Sequence, residues 1–137
     1  MLLTCSHCQA RNHVPEAAAR LDPSCERCAR PLLSGEVLEL TEANFDAVVA
    51  GSELPVLVDF WAPWSGPARM MEPQLNQAAR QLKGLALMVK VNSDANPRLA
   101  QRFAIRAIPT LAQLRAGQEV QRISGALQAP QILEWIQ

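Results

Sequence analysis

After Cys28 the chain contains no further cysteine. It also lacks a surplus of either charge, since 13 basic side chains meet 13 acidic ones. That balance argues against a non-specific nucleic-acid binder, which needs an excess of Lys and Arg. No apolar run approaches the roughly 20 residues of a membrane span, so no membrane partner is expected. A Gly-X-Y period, a heptad period and low-complexity tracts are all missing, which excludes a fibrous chain. With 49% hydrophobic and 19% charged residues, the composition is not that of a disordered one either. The Met1-Leu2-Leu3-Thr4 start has neither a basic segment nor a long apolar one. No secretory leader is therefore expected, and a cytoplasmic location is. What remains, over 137 residues, suits one compact domain with a small appendage.

The residues divide unevenly. Residues 1–34 carry all four cysteines and both histidines, with too few large apolar side chains to build a core alone. Residues 35–137 hold every Phe and Trp and nearly all Val and Ile. Ser34-Gly35 marks the seam, because the pattern changes character there. Beyond the doubled cysteine pair, the sequence shows no internal repeat.

The larger part reads as a βαβαβαββα order. Residues 36–40 alternate polar and apolar as a half-buried strand does, and Thr41 is placed to cap a helix bearing Phe45, Val48 and Val49. Residues 55–60 form a nearly continuous apolar run broken by Asp59, the pattern of a central strand. A long helix is expected over about 66–83 with Pro73 inside it, then a strand over 86–91 and a short helix from Pro97 to Phe103. Residues 110–115 and 118–123 flank Ala116-Gly117 as a hairpin, and a last helix starts at Pro130. This order predicts an α/β layered domain with a mixed sheet.

Cys5-Ser6-His7-Cys8 and Cys25-Glu26-Arg27-Cys28 are two C-x-x-C pairs separated by 16 residues. Two such pairs complete a tetrahedral Cys₄ shell, and the spacing is that of a zinc ribbon. Zinc would supply the stability that a core-poor segment lacks. With four protein ligands no position is left for water or substrate, so the ion, Zn²⁺, would be structural. His7 and His13 then read as ordinary polar residues. Two disulfides are the competing use of four cysteines, and a reducing cytosol disfavours them.

Between the second strand of the larger part and the long helix lies Trp61-Ala62-Pro63-Trp64-Ser65-Gly66-Pro67-Ala68-Arg69. With Val56-Leu57-Val58-Asp59-Phe60 before it, this stretch resembles the active-site segment of the thioredoxin family. Pro73, Lys90, Ala107-Ile108-Pro109-Thr110, Gly117 and Gly125 follow in the matching order and spacing. The resemblance covers about residues 36–137. The cysteine pairs in front make the whole similar to zinc-bearing bacterial thioredoxins. It implies a thioredoxin fold, a central mixed sheet flanked by helices, behind a small zinc-ribbon-like module. It further implies a protein-disulfide reductase with no bound organic cofactor, acting as a monomer on protein disulfides and recharged by an NADPH-dependent thioredoxin reductase.

One departure outweighs the agreement. The family motif is Trp-Cys-Gly-Pro-Cys, and here Ser65 and Ala68 hold the two cysteine places. A thiol at the first place, at a helix N-terminus, is favoured as thiolate and attacks a substrate disulfide. The second thiol, on the same helix face, resolves the mixed disulfide. Serine ionises far less readily and alanine has no nucleophile. By the resemblance, Asp59 is the buried carboxylate that serves the resolving thiol, Lys90 is its partner, and Pro109 is a cis-proline facing the loop. The implied substrate surface comprises Trp64, Gly66, Pro67, Ile108, Pro109, Gly125 and Ala126. Ser124 stands there in place of an expected apolar residue. Two readings follow: a reductase whose two active cysteines have been replaced, or a naturally non-catalytic binding module with a chaperone-like or scaffold role.

Overall fold

A computed structural model describes residues 1–136. The larger part is a five-stranded sheet built from β3 (Leu38–Glu39), β4 (Val56–Trp61), β5 (Leu87–Asn92), β6 (Thr110–Arg115) and β7 (Gln118–Ser124), in the order β3-β5-β4-β6-β7. β5 runs parallel to both β3 and β4, whereas β6 is antiparallel to β4 and β7. The helices are α1 (Phe45–Ala50), α2 (Gly66–Gln81), α3 (Pro97–Arg102) and α4 (Ala129–Trp135). The mixed sheet and the element order match what the sequence implies. This is a thioredoxin fold.

Strand alternation decides what each face receives. Val56, Val58 and Phe60 of β4 point to one side, into a cluster with Phe45, Val48 and Val49 of α1 and Leu99 of α3. Leu57 points to the other side, into a cluster with Met71, Leu75 and Ala78 of α2 and Ile132 of α4. Asp59 shares the face of Leu57, which puts a carboxyl beneath α2.

Local details differ from the sequence reading where side chains compete for the backbone. Thr41 does not cap α1. Its hydroxyl accepts from the Ala43 amide, and its own amide donates to Asn44 Oδ1. This closes a turn ahead of the helix, and Asn44 becomes the N-cap residue. At the far end of α1, Gly51 is fixed by a close approach: a Cβ there would lie 1.9 Å from Thr4 Oγ1 and 2.7 Å from the Ala47 carbonyl oxygen. The hairpin at Ala116-Gly117 forms as expected, with Arg115 facing Gln118 and both turn residues at positive φ.

The first 34 residues carry structure that their sequence did not signal. β1 (Leu2–Thr4) and β2 (Arg11–His13) pair antiparallel, and a short 3₁₀ turn follows at Glu16–Ala18. The segment buries what it has against the larger part. Leu3, Cys5, Val14, Ala19, Cys25, Leu32 and Leu33 join the cluster that contains Phe45 and Val48. The Glu53 amide donates to the Leu2 carbonyl at 3.0 Å, Glu53 Oε1 accepts from the Leu2 amide at 2.7 Å, and Lys83 pairs with Asp22. Apolar burial therefore runs across the Ser34-Gly35 seam. Among the described residues, no helix is long and apolar enough to cross a membrane.

Candidate functional site

The two cysteine pairs fold as copies of one knuckle. In the first, the Cys5 amide donates to the Ala10 carbonyl at 2.9 Å and the Gln9 amide to the Cys5 carbonyl at 2.9 Å. In the second, Cys25 donates to Arg30 at 2.8 Å and Ala29 to Cys25 at 2.8 Å. Gln9 and Ala29, each following the second cysteine of its pair, both have positive φ, at 61° and 65°. The strand pairing of Thr4 with Arg11 is matched by an isolated bridge between Ser24 and Pro31. The repeat thus extends beyond the cysteines, and its second copy is shorter: the Leu32 amide donates to the Pro23 carbonyl at 2.9 Å, but Pro23 has no amide to return.

The knuckles bring all four sulfurs together, with every Sγ within 4.8 Å of the others. Cys5 lies 3.6 Å from Cys28 and Cys8 lies 3.6 Å from Cys25. A disulfide needs about 2.05 Å. A tetrahedral shell with metal–sulfur distances of about 2.3 Å places its sulfurs about 3.8 Å apart. The donor set therefore fits one thiolate-loving metal ion. Its chemistry agrees: the Cys28 amide and then the Asn12 side chain hold the Cys25 thiol down to about 6. The Ala10 amide favours the Cys8 thiolate, yet burial and the neighbouring thiols outweigh it and push that group up to about 11. Crowded thiols of this kind need a cation before all four can ionise.

At the other site, β4 ends at Trp61 and the chain turns through Ala62, Pro63 and Trp64 into α2. Ser65 is the N-cap, with φ −87° and ψ 112°, and its Oγ accepts from the Ala68 amide at 3.2 Å. Gly66 and Pro67 occupy the first two helical positions, where proline loses no bond. Ser65 and Ala68 are both buried at 3% exposure, while Trp64 is 68% exposed. Met70, not anticipated from the sequence, is 74% exposed on the first turns of the same helix.

Ala68 and Asp59 line one small cavity of about 10 Å³, together with Val37, Trp61, Glu72 and Lys90. Asp59 is 2% exposed, and among the described residues its Oδ1 finds no hydrogen-bond partner. Burial pushes its carboxyl up to about 7, against the pull of the Lys90 charge and with some help from Glu72. Lys90 faces Asp59 in the parallel register of β4 and β5. Its ammonium nevertheless pairs elsewhere, 3.7 Å from Glu39 Oε2 and 3.7 Å from Glu72 Oε1, over the Trp61 ring. Sequence reasoning missed Glu72. Its signal was available, because it stands one helical turn after Ala68 on the same face.

The Ile108–Pro109 peptide bond is cis. Because Phe60 pairs with Thr110, Pro109 leaves the sheet at the end where β4 exits toward Ser65. The Gly125 amide donates to the Pro109 carbonyl at 2.9 Å, which brings the Gly125-Ala126 segment to the same end of the sheet. Ser124 has a local use: its hydroxyl lies 2.9 Å from Thr110 Oγ1.

These features match a known family. The family model described as Thioredoxin matches residues 36–137. The chain belongs to the thioredoxin family. It is 42% identical over 136 residues to Thioredoxin C-3 of Corynebacterium nephridii, covering 99% of this chain and 93% of that one. Thioredoxin 1 of Nostoc sp. is 46% identical over 89 residues, 65% of this chain and 83% of its own. Among solved structures, the crystal structure of chloroplastic thioredoxin z superposes with a TM-score of 0.67 at 28% identity, covering 72% of this chain and 89% of that one. The match to the Corynebacterium thioredoxin spans the cysteine knuckles as well as the sheet. Thioredoxins are, as a family, thiol–disulfide oxidoreductases that act on protein disulfides and are served by thioredoxin reductase.

Proposed function

We propose that this chain is a thioredoxin-type protein-disulfide reductase in redox-silent form. The observation that carries the reading is the place of Ser65 and Ala68: a buried N-cap oxygen that receives a helix amide, and a buried methyl over the Asp59 cavity. A thiol at position 65 would take the amide bond that now goes to Ser65 Oγ, which favours thiolate. That thiolate attacks a substrate disulfide, forms a mixed disulfide and releases one substrate thiolate. A thiol at position 68, losing its proton to Asp59, then attacks the mixed disulfide, releases the second substrate thiol and leaves the protein oxidised. With oxygen and methyl in those places neither bond exchange takes place.

The knuckles hold one structural Zn²⁺ through Cys5, Cys8, Cys25 and Cys28 in this reading. The sulfur spacing supports a tetrahedral ion, and an all-thiolate set favours zinc. Four cysteines held as thiolates on a metal rather than paired in disulfides suit a reducing compartment, which supports a cytoplasmic location. β7 is an edge strand that exposes the charged Glu119 and Arg122, which discourages edge-to-edge pairing and suits a monomer.

Insulin reduction with NADPH and thioredoxin reductase tests the proposal. The chain as it stands should remain at background, and the Ser65→Cys/Ala68→Cys variant should turn over. Ser65→Cys alone should accumulate a stable mixed disulfide, since nothing resolves it. Background activity from the folded, metal-loaded double variant would overturn the reductase reading in favour of a binding module. Elemental analysis should find one zinc per chain, and a folded, metal-free protein would overturn that part.

A further inference from the structure

We infer that Asn12 is a positioning residue of the metal centre, tying the two knuckles into one shell and orienting the Cys25 thiolate toward the ion. The inference rests on the metal reading above and extends it to a residue that is not a ligand. Asn12 lies on β2 opposite Leu3 and is 3% exposed. Its Nδ2 donates to the Ala10 carbonyl at 3.1 Å, within the first knuckle, and to Cys25 Sγ at 3.4 Å, within the second. Its Oδ1 accepts from the Glu26 amide at 2.9 Å, again in the second knuckle. One buried side chain thus spends both donor and acceptor capacity on bridging the two halves of the shell.

The pseudo-symmetry of the knuckles shows that this is not a general need of the fold. Asn12 and Leu32 each stand seven residues after the first cysteine of their pair. Leu32 occupies the equivalent place with an apolar side chain, 8% exposed, packed in the core cluster. The bridge is therefore one-sided: the first half reaches across to a ligand of the second, and among the described residues nothing equivalent returns. An N–H donor aimed at a metal-bound sulfur fixes its orientation and withdraws electron density from it. Such outer contacts commonly change metal affinity by about 10–100-fold when lost.

Two variants separate positioning from filling. Asn12→Leu copies the partner knuckle and removes all three bonds. Asn12→Asp keeps an acceptor for the Glu26 amide while deleting the donors to Ala10 and Cys25. Zinc affinity is read by competition with a chromophoric chelator, and the sulfur-to-metal charge-transfer bands are read on the Co²⁺-loaded full chain. Both variants should bind zinc about 10–100-fold more weakly and shift the cobalt bands. If Asn12→Leu does not fold, as judged by tryptophan fluorescence, Asn12→Asp decides. Affinities within twofold of the parent overturn the inference. So do weakened affinities with unmoved bands, which would mark Asn12 as packing alone. A parent chain that takes up neither metal overturns the metal reading itself, and the inference with it.

Discussion

The knuckles and the active-site loop grip their key atoms with the same device, yet they differ in what they lose without sulfur. In the knuckles, thiols accept from nitrogen donors: the His7 amide reaches Cys5 Sγ at 3.4 Å and Asn12 reaches Cys25. In the loop, the Ala68 amide reaches Ser65 Oγ at 3.2 Å. Cys5 and Cys25, at 0% and 2% exposure, are themselves core residues of the segment that holds them. The loop instead rests on a sheet with Phe60, Leu57, Met71 and Leu75 beneath it, all at most 1% exposed. The thiols of the first region are thus part of its core, whereas the second region stands without any thiol. That contrast explains how both loop thiols can be absent while the cap, the Asp59 cavity and the cis Ile108–Pro109 bond all stand.

Removing the metal should expose the contrast most strongly. A ligand held at a thousand times its dissociation constant stabilises by about 4 kcal/mol, and chelation should take away at least that much. Amide exchange should show where the loss falls: fast exchange in β1, β2 and both knuckles, with protection kept in β4, β5 and β6. Uniform deprotection of the whole chain would mean that the sheet depends on the metal, and the two regions would no longer be distinct in this respect.

The next test addresses the loop side. The Asp59 carboxyl moves from 3.8 when unfolded to about 7 when folded, chiefly through burial. Because the folded state binds this proton more tightly, stability is greatest below about pH 4. It falls as pH rises toward 7 and then levels off. About three pH units correspond to a penalty of about 4 kcal/mol at most. Asp59→Asn should therefore match the parent near pH 4 and exceed it by up to this amount above pH 7. Denaturant midpoints of the two proteins, compared at each pH, cancel the metal's own pH dependence. A pH-independent difference would remove Asp59 from the buried, ionisable role.

Long periodic elements were legible in the sequence, and short or reciprocal features were not. β4 announced itself through Val56, Leu57, Val58 and Phe60, and α2 through its loop, its proline and its apolar face. β1 and β2 have three residues each, too few for a period to show. The knuckle repeat was hidden because only its cysteines recur as letters, while the Gln9/Ala29 and Thr4–Arg11/Ser24–Pro31 correspondences exist only as backbone geometry. Lys90 was legible as the neighbour of Asp59, but not its pairing with Glu39 and Glu72, which depends on three elements meeting at one place. Asn12 gave no signal, since a lone asparagine between polar residues reads as surface.

The smallest expected effect separates the regions most cleanly, because it applies one strain to both. Ala29 sits at φ 65° in the second knuckle and Ala116 at φ 50° in the β6–β7 turn. The left-handed region costs an L-residue about 1–2 kcal/mol. Glycine relieves that cost but returns about 0.4–1 kcal/mol of it through the freer unfolded chain. Ala29→Gly should thus gain about 0.5 kcal/mol, and asparagine is well suited to the first position of the two-residue turn at Ala116. If sulfur and its ion organise the first region, Ala29→Gly should tighten zinc binding by about twofold and leave the thermal midpoint of the metal-free protein unchanged. Ala116→Asn should do the reverse, raising the midpoint by a few degrees with or without metal while zinc affinity stays put. Crossed effects, with Ala116→Asn moving the zinc affinity, would show that the cluster joining Leu3 and Val14 to Phe45 couples the two regions into one energetic unit.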